Sequence, residues 1–159
     1  MSMRPLIIAA TFAAAVAALA STASAQGHAG HLMTMPADLK WADVPSLPPG
    51  AKIAIIEGPL NEAKPFTFRL RFPANYQIPA HSQPAAERVT VLSGTFHMGT
   101  GDKFDRSKTT GLSTGSVAIM QPGTTHFAWT DQETVVQLNG TGPWLIEYVN
   151  PADDPRKKP

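Results

Sequence analysis

Two imidazoles and one carboxylate carry the clearest chemistry in this sequence. His81 and Gln83 lie two residues apart, so on a strand both side chains point to one face. Pro84-Ala85-Ala86 follows as a turn, and Glu87 opens the next extended run. Much later, Pro122-Gly123-Thr124-Thr125 leads into His126. His81, Glu87 and His126 on a common centre would leave open positions on a metal ion. That donor set suits non-haem Fe(II) and equally suits zinc with three protein ligands and a water. Gln83 offers only a neutral, weak amide oxygen. It completes the site, opens a coordination position, or marks a site that no longer binds metal. Left without a metal in an apolar interior, the carboxylate would pay heavily for burial unless it found hydrogen-bond partners.

The chain has 159 residues with 13 Lys+Arg against 12 Asp+Glu. That length supports one domain with a substantial core. The even charge gives no electrostatic footprint for nucleic acid or an anionic membrane. With no cysteine, disulfides, thiolate zinc sites, iron–sulfur clusters and a thiol nucleophile are excluded. Fifteen Pro and 12 Gly leave little room for long helices. Short strands are expected instead at 52–57, 66–72, 76–81, 87–93, 95–98, 116–120, 126–130, 134–139 and 144–149. The segment Phe66-Thr67-Phe68-Arg69-Leu70-Arg71-Phe72 alternates cleanly, with its aromatic and aliphatic residues on one face. No helical pattern separates the strands, so an all-β sandwich or barrel is expected rather than a parallel sheet.

The flanks read differently. Residues 1–25 have the form of a secretory signal peptide: Arg4, the apolar run Leu6 to Ala20, and Ala23-Ser24-Ala25 as the cleavage site. The expected location is therefore periplasmic or secreted, with no membrane span in the mature chain. Residues 26–40 are expected to form a flexible arm, with one helical turn near Pro36. A cut after Ala25 would start the arm at Gln26-Gly27-His28, an arrangement that can wrap Cu(II) or Ni(II) in nitrogen ligands. His31, Met33 and Met35 follow. Residues 151–159 read as a charged, Pro-rich tail with no core to join.

The two histidine segments resemble the motifs of the cupin superfamily. Its first motif runs Gly, five residues, His-x-His, three or four residues, Glu, six residues, Gly. Here His81, Gln83, Glu87 and Gly94 keep that spacing, with Asn75 in place of the opening Gly and Gln83 in place of the second His. The second motif is matched by Gly115, Pro122, Gly123 and His126, with Thr130 where the family has Asn. The resemblance covers the domain 41–150. It implies a double-stranded β-helix (jelly-roll) barrel with a divalent metal inside, Fe, Mn, Zn, Ni or Cu, on His81, Glu87 and His126, with Gln83 completing or gating the site. It also implies a possible homodimer. The functions it leaves open are a dioxygenase-like enzyme acting on a small organic substrate, a non-catalytic module that binds a metal or small ligand, and a scaffold without metal.

Strand parity adds detail. Glu87 should share its face with Val89, Val91 and Ser93, His126 with Ala128 and Thr130, and His81 with Gln77 and Pro79. None of these is Arg or Lys, so the pocket should be apolar to mildly polar, which argues against phosphosugars. Arg69 and Arg71 are expected in solvent and His97 outside any ligand set. Phe127, Trp129, Trp144 and Tyr148 are expected in the core.

Overall fold

A computed structural model describes residues 30–157. The expected signal peptide and the Gln26-Gly27-His28 motif lie outside the described residues. Thr34–Pro159 is one compact unit, built from eleven strands in two antiparallel sheets. The strands are β1 (Ala42–Asp43), β2 (Lys52–Glu57), β3 (Pro65–Phe72), β4 (Gln77–Ser82), β5 (Glu87–Ser93), β6 (Thr95–Thr100), β7 (Thr110–Ser113), β8 (Val117–Met120), β9 (His126–Thr130), β10 (Thr134–Thr141) and β11 (Glu147–Tyr148). One sheet has the order β1-β2-β3-β10-β5-β8 and the other β11-β4-β9-β6-β7. From β3 onward successive strands alternate between the sheets, except for the paired β6 and β7, as in a jelly roll.

The period-2 segment behaves as its pattern demands. Phe66, Phe68, Leu70 and Phe72 are all buried, while Thr67, Arg69 and Arg71 face out. Across the interior Phe72 stacks on Phe96 at 5.5 Å between ring centroids, joining the two sheets. Val89, Val91, Val136 and Leu138 fill the same core. On the outer face Arg69 bonds Gln137, and the Arg71 guanidinium lies over the Trp41 ring.

Two turns carry the backbone freedom the motifs need. Asn75 adopts φ +59°, the left-handed conformation that Asn tolerates. Gly94 has φ +78°, and a Cβ there would sit 2.5 Å from the Glu133 carbonyl oxygen, so the β5–β6 turn admits only glycine. Thr130 is fully buried. Its hydroxyl donates to Pro73 O and accepts from Tyr76 N, clamping the turn that launches β4.

Several expectations need correction. The strand expected at 144–149 is only Glu147–Tyr148, because Trp144 follows Pro143 and turns inward. Two strands, β1 and β7, have no sequence signal; β7 contains Gly111, against which the His97 ring rests. Trp129 is not a core residue. It lies on the outer face of β9, between the His97 ring and the Arg106 guanidinium. Phe127 is buried on that same outer side, beneath Phe104. The tail does not hang free either: Pro151–Asp153 and Pro155–Lys157 are 3₁₀ turns. Asp154 is buried against Arg156, whose guanidinium also reaches Ile146 O.

Candidate metal centre

His81 reaches the interior through a fault in its strand. β4 pairs Gln77 with Trp129 and Ile78 with Ala128, but then His81 with His126. Three residues on β4 thus match two on β9, which is a β-bulge. Parity from Gln77 would have put His81 outside; the bulge shifts it onto the face of buried Ile78. The expected face-sharing with Gln77 and Pro79 is therefore wrong. Pro79 within the strand signalled this, since proline in a sheet marks edges and bulges. Glu87 lies with buried Val89 and Val91, and His126 with buried Ala128 and Thr130, as parity requires; Ser93, at the turn, is exposed.

The motif loops are tied together as well. Gly123 N donates to Gln83 O at 2.8 Å, so the loop before His126 is fixed to the loop before Glu87. His81, Gln83, Glu87 and His126 are all buried and line one interior cavity of about 30 Å³.

Both imidazoles are held in one orientation. His81 Nδ1 lies 2.8 Å from Pro79 O, and His126 Nδ1 lies 3.0 Å from Thr124 O. A carbonyl oxygen only accepts, so each Nδ1 donates, and in the neutral ring Nε2 keeps its lone pair. That is the arrangement found behind metal-ligating imidazoles. The ring centroids are 4.3 Å apart. His126 Nε2 stands 3.5 Å from Glu87 Oε2. This exceeds hydrogen-bond range but matches the roughly 3–3.5 Å between two ligands of one ion bound at about 2.1 Å each. Burial first, and then the neighbouring His126, push the His81 pKa down to about 4. His81 is therefore neutral at pH 7, the form that binds metal.

Glu87 is anchored from its other side. Gln83 Nε2 donates to Glu87 Oε1 at 3.2 Å, and Trp144 Nε1 donates to the same oxygen at 3.3 Å. Gln83 therefore joins the cluster as a donor to the carboxylate. Trp144, which also packs on Phe68 at 4.7 Å, belongs to the site and was missed as such. Nothing in the sequence links it to Glu87, because the contact spans the interior between distant segments. Among the described residues, no group of three His, Asp or Glu side chains is placed, as it stands, to hold a metal ion. The donors fit a divalent metal in kind: two lone pairs and one half-anchored carboxylate. The remaining lining is apolar, including Leu70, Phe72 and Val136, with no Arg or Lys. His97, as expected, stands outside this set, on the opposite face of the sheet.

No family profile matches the sequence, and no curated protein does. Solved structures do. The polyketide cyclase RemF from Streptomyces resistomycificus aligns over 79% of this chain and 89% of its own, with a TM-score of 0.64 at 15% identity. An RmlC-like cupin from Shewanella frigidimarina aligns over 68% and 87%, with a TM-score of 0.55 at 14% identity. An oxalate oxidase aligns over 68% and 59%, with a TM-score of 0.51 at 20% identity. At such identities the likeness speaks for the backbone, and the two-sheet jelly roll with its inward motif residues is the fold of the cupin superfamily.

Proposed function

We propose that this chain is an exported, metal-binding cupin whose metal serves oxidative chemistry on a small organic molecule. The observation that carries the reading is the pair of Nδ1 contacts: His81 and His126 both spend Nδ1 on a backbone carbonyl at the wall of one cavity, which in the neutral ring leaves Nε2 free for an ion. His81, His126 and Glu87 Oε2 would hold the ion. When bound, it would supply Lewis acidity or activate oxygen at positions the protein leaves open. Gln83 and Trp144 aim Glu87, both donating to Oε1 and leaving Oε2 for the ion. Apolar walls exclude bulk water. Export rests on the leader-like segment 1–25. Two of the similar structures are named for enzymes, a cyclase and an oxidase; the chemistry proposed here rests on the donor set.

A second reading has its own support. Gln83 stands where the superfamily has a second His, and its amide is committed to Glu87. A three-donor site lacking that imidazole suits reversible capture of a metal or small ligand without turnover. Metal analysis of protein prepared without chelator, beside His81→Ala, tests the shared premise. The wild type should carry metal and the variant little; equal content in both would remove the site. Oxygen consumption on a small-molecule panel then separates the enzyme from the binding module.

A further inference from the structure

The cavity around His81, Glu87 and His126 measures about 30 Å³, room for an ion and one or two waters but not for an organic molecule. A second cavity of about 350 Å³ lies between β7 and β8, the terminal strands of the two sheets. Met98 and His126 line both cavities, so the two adjoin at these side chains. Its size is at the lower end for small-molecule sites, roughly 300–1,000 Å³.

We propose that this cleft binds a small organic monocarboxylate with a short apolar body, its carboxylate at Lys108 and its apolar end toward His126. Met98, Leu112, Ala118 and Met120 form its apolar walls, with Thr100 and Thr110 beside them, and the two methionines can adapt to shape. Lys108 is the one cation among the lining residues. Its ammonium is largely exposed and stands 3.6 Å from Asp105 Oδ2, beyond hydrogen-bond range. Asp105 spends Oδ1 on Ser107 N at 3.0 Å and Ser107 Oγ at 2.6 Å, while the Oδ2 facing Lys108 is on a part-exposed side chain. Lys108 can therefore turn to an arriving anion and leave that oxygen to solvent. The ligand class deepens the small-molecule reading above, yet it does not require the metal.

The test is a titration of the protein as purified, carrying ¹³C-methyl methionine, with sodium hexanoate and, in parallel, with hexanol. Hexanoate should move the Met98 and Met120 methyl signals and leave that of exposed Met35 in place. Lys108→Gln should weaken hexanoate roughly fivefold, as befits one exposed charge pair, and leave hexanol unchanged. Ala118→Phe should abolish both shifts; its thermal melt, if native-like, shows that the fold is kept. Immobile Met98 and Met120 signals in the wild type would overturn the proposal. So would hexanol binding as tightly as hexanoate, or a folded Ala118→Phe that binds normally. Metal content, measured on the same samples, reports separately on the ligand cluster.

Discussion

The second sheet carries two histidine clusters on its two faces, and only one has the makings of a metal site. Inside, His81 and His126 meet at 4.3 Å with ring planes inclined by 57°. Each has its Nδ1 held by a backbone carbonyl, and Glu87 closes one side. Outside, His97 lies flat on Trp129 at 3.9 Å and 11°, with Asp131 3.5 Å from Nε2. Residue types alone do not separate these clusters, since each has imidazole, carboxylate and indole. What separates them is which atoms remain unspent. The outer imidazole uses its face for stacking beside a half-exposed carboxylate. The inner cluster turns its imidazole nitrogens and a carboxylate oxygen into a buried cavity with mostly apolar walls, where a cation has most to gain.

The largest effect should come from removing one of the proposed inner ligands. His126→Ala or Glu87→Gln should lower metal affinity by more than the roughly 10–100-fold that outer-shell partners are worth. His97→Ala should leave metal content unchanged. Competition with a chromophoric chelator measures all three. Loss of metal in His97→Ala would erase the contrast between the faces.

Acid should expose the inner cluster next. Folding lowers the His81 pKa from 6.5 to about 4. Between those values the unfolded chain binds the proton and the folded chain refuses it, so stability falls as the pH drops through that window. It is intact above pH 6.5 and fully lost near pH 4. The difference corresponds to about 3 kcal/mol. Urea unfolding of metal-free protein across this range should show the slope, and His81→Gln should flatten it. An unchanged slope in the variant would move the effect to another group.

Trp144 offers a finer cut. Trp144→Phe keeps a ring against Phe68 but takes one N–H from Glu87 Oε1, leaving Gln83 as the single donor there. Metal affinity should fall roughly 10–100-fold, the usual worth of an outer-shell partner. Trp129→Phe, on the outer face, should cost stability through Arg106 and Thr109 and leave metal affinity alone. Equal metal affinity in Trp144→Phe and wild type would reduce Trp144 to packing.

Much of this contrast was legible in the sequence. The bounds of β2, β5 and β9 follow from alternation and turn residues, and so does the grouping of Glu87 with Val89 and Val91 and of His126 with Ala128 and Thr130. His81 needed more than parity: its strand contains a bulge, which period-2 reasoning cannot place even when Pro79 hints at it. Trp129 escapes sequence reasoning because alternation says which residues share a face, not which face is inside. On β9 both faces are covered, one by the barrel and one by the loop carrying Phe104 and Arg106. Trp144 as a partner of Glu87 was out of reach, because the contact depends on how distant segments meet across the interior. The tail was misjudged for a similar reason: its charges neutralise each other locally, Arg156 on Asp154, and dock on Ile146 O.

The smallest expected effect is the sharpest test of the outer cluster's role. His97 Nε2 is buried without a hydrogen bond, and its approach to Asp131 attracts only when the imidazole is protonated. Asp131 is half exposed, so water screens the pair and its worth is about 0–1 kcal/mol. Asp131→Asn keeps an acceptor of the same shape and removes the charge. Its urea midpoint at neutral pH should therefore shift by less than about 1 kcal/mol equivalent, with metal content untouched. A loss of several times that size, or any loss of metal, would couple the two faces of the sheet through β9. The outer stack would then be a support for His126 rather than an independent surface feature.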